Sequence, residues 1–335
     1  MTICTNYILP EINVTFLYRE CSSLSKNHYF TNHYNFFLNA LKRNSRIKVN
    51  YVLSDQNFDI TKLNEKPDII ILYENANTGD DCVPEKIFGL KSSGIPVIVK
   101  LGDPWKSKTF DLKKNHEDYN IIGYFAAYPQ SIFYKYYPKN YKYRTIFYGV
   151  ETSQYENLTP FSERIKNKIL NSGAIASKKL RNRLYCKLFK GDADPMLHYK
   201  LRTMCNDLPY VEFRETFSHD LIGDKYPLYL QKFSSAIAAT TDTYTMKYFE
   251  MPAANCLTFM EVTEKNSAKI LGFIDGESAI FINEKNYKEK FDEYLSDINN
   301  PKWEKIASRG RIHALETFSN DRGVNSLVDY IEDLI

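Results

Sequence analysis

Short apolar runs bounded by turn residues alternate with helix-length amphipathic stretches along the whole chain, and this rhythm limits the fold more than any other feature. It is the mark of βαβ units wound around parallel sheets. In the first half the spacing predicts strands over 13–18, 48–53, 68–73 and 96–101, with shorter ones at 121–125 and 143–147. Ile69, Ile70, Ile71 and Leu72 are apolar on both faces, as a central parallel strand must be when helices cover it from two sides. Phe30, Tyr34, Phe37, Leu38 and Leu41 fit a helix over 29–41.

The pattern lapses into a polar stretch over 149–160, read as an interdomain linker, and then resumes. A strand is expected over 165–170, followed by a turn at Asn171, Ser172 and Gly173. Leu180, Leu184 and Leu188, with Tyr185 and Phe189, mark a helix with one apolar face. Further strands are expected at 211–214, 236–240, 257–260 and 279–282, and helices at 226–233, 246–254, 287–298 and 303–315. Ser319 can cap a last helix carrying Val324, Leu327, Val328, Ile331 and Leu334 at spacings of three and four. With 335 residues the chain suggests two domains, 1–152 and 153–317, followed by a terminal helix at 318–335.

Composition excludes several classes. Hydrophobic residues make up 43%, enough for two cores and too many for disorder. The net charge of +3 is too balanced to imply a polyanionic partner. The first ten residues lack a secretory pattern and no run approaches a membrane span. The six cysteines form no CxxC pair, so reduced thiols in a cytoplasmic protein are expected. There is no GxGxxG, P-loop, GxSxG, HExxH or kinase signature. Asp80 and Asp81 resemble a metal pair but read better as part of a solvated loop.

The most telling segment runs from Thr240 to Asn255. Asp242 lies in a strand-end loop and Glu250 in the first turns of the next helix, so both belong to the carboxyl edge of a parallel sheet, where open α/β sheets bind ligands. Glu250 can accept hydrogen bonds from a ribose diol; the plainer alternative is a helix-opening acid that complements the macrodipole. Here the chain resembles the second half of GT-B glycosyltransferases, specifically the group-1 type related to spore-maturation-like enzymes. Lys247-Tyr-Phe-Glu-Met-Pro-Ala-Ala-Asn-Cys-Leu is similar to that family's K-Y-F-E-x-x-A-x-G-x-L segment, with Asn255 standing where Gly is usual. Asp242 and Glu250 match its acidic pair, with Asp replacing the usual Glu. The segments 170–181, 226–233, 273–283, 306–311 and 318–322 follow in register, so the likeness covers roughly 165–325.

The resemblance implies an α/β GT-B fold, two Rossmann-like domains with parallel sheets facing a central cleft, the second binding the donor and the terminal helix crossing back to the first. It implies transfer of a sugar from a UDP- or GDP-linked donor to an acceptor hydroxyl. Gly173 would let the backbone approach a diphosphate, Arg181 and Lys247 would neutralise it without a metal ion, and Tyr248 and Glu250 would complete the donor site. Asp242 would face the sugar, and Asp103, after the strand at 96–101, would be a general base for the acceptor, unless it only shapes an Asp-Pro turn. Arg181 could equally be a solvated helix residue. The run 132–148 carries four basic residues, eight aromatics and no acid. It could stack bases or lie on an anionic membrane, or simply pack its rings into a core. A nucleic-acid-binding protein, a glycosyltransferase acting on DNA bases and a nucleotide-sugar epimerase of the same fold are the rival readings; a glycan or lipid-linked acceptor stays equally open.

Overall fold

The structure, a computed structural model, describes residues 11–19, 31–73, 83–177, 179–189, 194–215, 221 and 225–335, with backbone alone at 31–36 and 187. Asp80 and Asp81 lie outside these residues. The chain divides into two compact units, Met1–Tyr148 with Asn320–Ile335, and Gly149–Ser319.

The first unit contains β1 (Ile12–Arg19), α1 (Thr31–Arg43), β2 (Ile47–Ser54), β3 (Asn57–Asp59), β4 (Ile69–Leu72), β5 (Lys86–Phe88), α2 (Leu90–Ser93), β6 (Val97–Lys100), α3 (Leu112–Asp118), β7 (Ile121–Ala126), α4 (Gln130–Tyr136) and β8 (Tyr143–Thr145). Its main sheet is parallel, in the order β2-β1-β4-β6-β7-β8, with β3 and β5 forming a separate parallel pair. Every residue of β4 is fully buried. Phe16, Ile69 and Ile71 pack on one side of the sheet with Phe37 and Leu41; Leu17, Ile70 and Leu72 pack on the other with Val97, Tyr124 and Phe133. The chain's last helix belongs to the first of these layers, through Val324, Leu327, Val328 and Ile331. Gly323 makes that approach possible, because a Cβ there would stand 2.5 Å from the Phe147 carbonyl oxygen.

Within 132–148 five of the eight aromatics pack into the core. Phe133, Tyr137, Tyr141, Tyr143 and Tyr148 are buried, with Phe133 stacked on Tyr143 at 4.1 Å and on Tyr137 at 4.5 Å between centroids. Those rings are not available to stack bases, because Phe133, Tyr137, Tyr141 and Tyr143 fill one layer of the core and Tyr148 packs with Phe37 in the other. Lys135, Lys139 and Lys142 are exposed, while Arg144 pairs with Asp333 at 2.6 Å and lies over the Tyr330 ring.

The second unit contains β9 (Ile169–Ser172), α5 (Leu180–Phe189), α6 (Pro195–His198), α7 (Lys200–Cys205), β10 (Val211–Arg214), α8 (Lys225–Leu230), β11 (Ser235–Ala238), α9 (Lys247–Ala253), β12 (Leu257–Glu261), β13 (Ile280–Ile282), α10 (Tyr287–Ser296) and α11 (Pro301–Phe318); α12 (Asn320–Glu332) then returns to the first unit. Its sheet is parallel, in the order β10-β9-β11-β12-β13. The strand expected over 165–170 is displaced toward the carboxyl side, because two polar residues count as strand. Asn171 donates to the Arg202 carbonyl at 3.0 Å and the Ser172 hydroxyl meets the Tyr226 hydroxyl at 2.9 Å, so each polar side chain is buried with a hydrogen bond, although the Asn171 amide oxygen has no partner among the described residues. The expected linker is not a free tether: Thr152–Tyr155 forms a 3₁₀ turn that buries Tyr155 in this unit. No described helix is long and apolar enough to cross a membrane.

Candidate functional site

In the second unit the strand order reverses between β9 and β11, since β10 lies to one side of β9 and β11 to the other. Loops leaving the carboxyl ends of those two strands flank the crevice where open α/β sheets bind ligands. They carry Gly173 and residues 239–246.

Gly173 has φ +102°, a region that disfavours residues with a Cβ. The space a Cβ would take is already lined by cations: it would lie 2.7 Å from Lys247 Cε and 3.0 Å from an Arg202 terminal nitrogen. The glycine's first task is therefore to let two basic side chains converge over the end of β9. Lys247, the first residue of α9, is buried and donates to the Tyr226 hydroxyl at 3.2 Å. Glu250, one turn along, is buried too and sits near Tyr226 and Tyr155. Burial pushes Lys247 well below the usual lysine range and Glu250 above the usual carboxylate range, while their mutual attraction opposes both shifts. The Arg202 cation depresses Lys247 further.

Arg202 was not among the residues expected at the site, although it is almost wholly buried. It donates to the Ala239 carbonyl at 2.7 and 3.1 Å and to the Ala174 carbonyl at 3.2 Å, tying together the two loops that flank the crevice. Arg181 is placed differently. It is exposed on α5 and forms no hydrogen bond or ion pair among the described residues.

The 239–246 loop is held from both sides. Tyr248, expected at the donor site, spends its hydroxyl on structure: it donates to the Glu261 carbonyl at 2.9 Å and accepts from the Thr240 backbone N–H at 3.2 Å. Asn266 clasps the same point, donating to the carbonyls of Thr240 and Glu261 at 2.9 and 2.8 Å. Asp242 is half-exposed and meets His198 Nδ1 at 2.6 Å and Lys265 Nζ at 2.6 Å. His198 comes close because its carbonyl accepts the Thr241 backbone N–H at 2.8 Å. The hydroxyl oxygens of Thr241, Thr243 and Thr245 are shielded from solvent and have no hydrogen-bond partner among the described residues. At the end of β12, burial and the nearby Glu284 charge push the Glu261 carboxyl up to about 7.

The structure thus brings together Gly173, Lys247 and Glu250, adds Arg202, and sets Asp242, with His198 and Lys265, in the neighbouring loop. Asp103 belongs to the first unit. It follows β6 at the start of a 3₁₀ turn, Pro104–Thr109, and accepts from the Tyr128 hydroxyl at 3.2 Å.

Solved structures with this architecture have one fold in common. HepE of Anabaena in complex with UDP-glucose aligns at a TM-score of 0.56, with 12% identity, over 97% of this chain and 100% of its own. An alpha-glucosyltransferase in complex with UDP-glucose and DNA containing an abasic site aligns at 0.58, with 9% identity, over 96% and 100%. The fold is that of the GT-B glycosyltransferases. Sucrose-phosphate synthase from Thermosynechococcus elongatus aligns similarly, at 0.55 and 7% identity over 97% and 99%. No family model and no curated protein matches the sequence; the likeness shown is to GT-B as a fold, and no link to the spore-maturation-like subgroup is shown.

Proposed function

We propose that this chain is a glycosyltransferase that takes its sugar from a UDP- or GDP-linked donor. The observation that carries the reading is the convergence of Lys247 and Arg202 over Gly173 at the strand-order reversal, with Glu250 one turn away. Two cations above a glycine turn suit a diphosphate, whose negative charge grows as the glycosyl bond breaks. Lys247 supplies a hydrogen-bonding charge beside the Tyr226 hydroxyl, and Arg202 one fixed by backbone carbonyls. Glu250 accepts the ribose hydroxyls. The sugar would lie along the 239–246 loop, where the half-exposed Asp242 carboxylate offers a polar contact.

Because protein cations neutralise the leaving diphosphate, the transfer needs no divalent ion. For the acceptor hydroxyl, Asp103 is the proposed base, with Tyr128 fixing its orientation. Arg181 is left out of the donor site. The acceptor panel holds glycans, lipid-linked sugars and DNA, the last because the alpha-glucosyltransferase of this fold is solved with DNA containing an abasic site.

The test is a thermal-shift screen of UDP- and GDP-sugars, followed by turnover of the stabilising donors over an acceptor panel with EDTA present. A donor at 100 times its Kd should add about 2.7 kcal/mol of stability. If turnover is abolished by EDTA and restored by Mg²⁺ or Mn²⁺, the metal-free part of the proposal fails. If no nucleotide sugar stabilises the chain, the donor site fails with it.

A further inference from the structure

Helix α5 differs from every other helix of its unit in what it leaves uncovered. Leu180, Leu184, Tyr185, Leu188 and Phe189 are 70%, 50%, 55%, 71% and 73% exposed. These are the residues whose spacing promises a buried face, and the structure does not bury them. Leu180, Leu184 and Leu188 follow one another at four-residue intervals, and the rings of Tyr185 and Phe189, 5.3 Å apart, widen the strip. No other described element packs broadly against α5. A ten-residue helix with nothing on its apolar side is marginal in water, so a surface that covers this strip would also hold the helix in shape.

Charge indicates which surface. Lys179, Arg181 and Arg183 are exposed beside the strip, and no acidic residue occurs between Glu163 and Asp192. A second copy of this chain would set these cations against their own kind. Anionic headgroups would pair with them while the acyl region takes the leucines and rings. Leu, Tyr and Phe interleaved with long basic side chains is the composition of helices that lie in the plane of a membrane interface.

We propose that α5 docks the chain reversibly on the surface of a bilayer containing anionic lipid. Leu180, Leu184, Leu188 and Phe189 enter the headgroup–acyl boundary, and Lys179, Arg181 and Arg183 reach the headgroups. This proposal does not depend on glycosyl transfer.

The test is flotation of the full chain with phosphatidylcholine vesicles, with and without phosphatidylserine, at low and high salt. The wild type should float with the phosphatidylserine vesicles only, and less so as salt rises, because screening weakens the headgroup contacts. Leu184→Glu/Leu188→Glu should lose most of that binding, about tenfold or more, from removed insertion and added like charge. Lys179→Gln/Arg183→Gln should bind more weakly and with less salt dependence. All variants should keep the wild-type melting temperature and donor binding, so a folding defect or a failed donor site reads separately. Equal recovery with and without phosphatidylserine, no flotation, or flotation that the Leu184/Leu188 variant retains would overturn the proposal. So would a solution dimer that the same variant dissociates, since the strip would then be covered by a second copy.

Discussion

Lys100 and Lys247 are both buried lysines at the carboxyl edge of a parallel sheet, one in each unit, and their surroundings could hardly differ more. Lys100 ends β6 with its ammonium 4.2 Å from the Tyr73 ring centroid and 5.3 Å from that of Tyr148. Aromatic faces attract a cation through their ring quadrupole. Lys247 instead meets Arg202, Glu250 and Tyr226. There the neighbours are themselves ionisable and desolvated, so an arriving dianion would change the proton balance of the whole group. The proposed donor site rests on the second of these surroundings.

Four variants sharpen or break that contrast. The largest effect concerns whether the first unit contributes chemistry at all. Asp103→Asn should keep donor affinity and lower kcat by about 10²–10⁴, because it removes proton transfer and little volume. A normal rate with lower thermal stability would reduce Asp103 to a turn residue.

Next comes the pH response of the second unit. The native Glu261 carboxyl sits near 7, above its ordinary value of 4.5, so the folded state holds that proton more tightly than the unfolded one. The associated stability is complete below the unfolded value and is lost as pH rises through about 7, a decline of about 3 kcal/mol. Denaturant melts at pH 5 and pH 8, read by fluorescence of the buried Trp303, should show the wild type losing that much more than Glu261→Gln. Parallel losses in both proteins would remove Glu261 as the cause.

Gly173→Ala should cost about 1–3 kcal/mol of stability and weaken donor binding, since the methyl group meets the Lys247 side chain in a strained backbone region. Calorimetry and melting on that variant separate the two effects; unchanged values would mean that Lys247 moves aside freely. His198→Ala has the smallest expected effect on stability, under about 1 kcal/mol, because its partner Asp242 is half-exposed and keeps Lys265. It should raise KM for the donor more than it alters melting temperature. A melting-temperature loss with KM unchanged would make the pair purely structural.

Much of the architecture was legible because burial writes itself into periodicity. Ile69 to Leu72 read as a central strand and are fully buried, and the stripe from Val324 to Ile331 found its sheet. Glu250 and Lys247 could be placed because one segment carried both with the strand-end loop before them. Arg202 and His198 could not. They come from two short helices of six and four residues, too brief to show a period, and their roles depend on backbone carbonyls that no sequence pattern marks. The end of β9 was hidden for a similar reason: Asn171 and Ser172 look like a turn until their hydrogen-bond partners are known. On α5 the period was correct and the burial was not, because amphipathicity shows that a face needs a cover without saying that the same chain supplies it.

The contrast between the two lysines can be put to one calorimetric titration. UDP-glucose and, in parallel, GDP-mannose are titrated into the wild type, Lys247→Met and Lys100→Met. Methionine keeps the volume of each buried side chain while deleting its charge, and replacing buried charges with apolar groups is often tolerated. One of the two donors should bind the wild type, should bind Lys100→Met with the same affinity, and should lose about 2 kcal/mol or more on Lys247→Met through the missing charge-assisted hydrogen bond. Equal binding to Lys247→Met and wild type, or a loss confined to Lys100→Met, would contradict the assignment of the donor to the second unit.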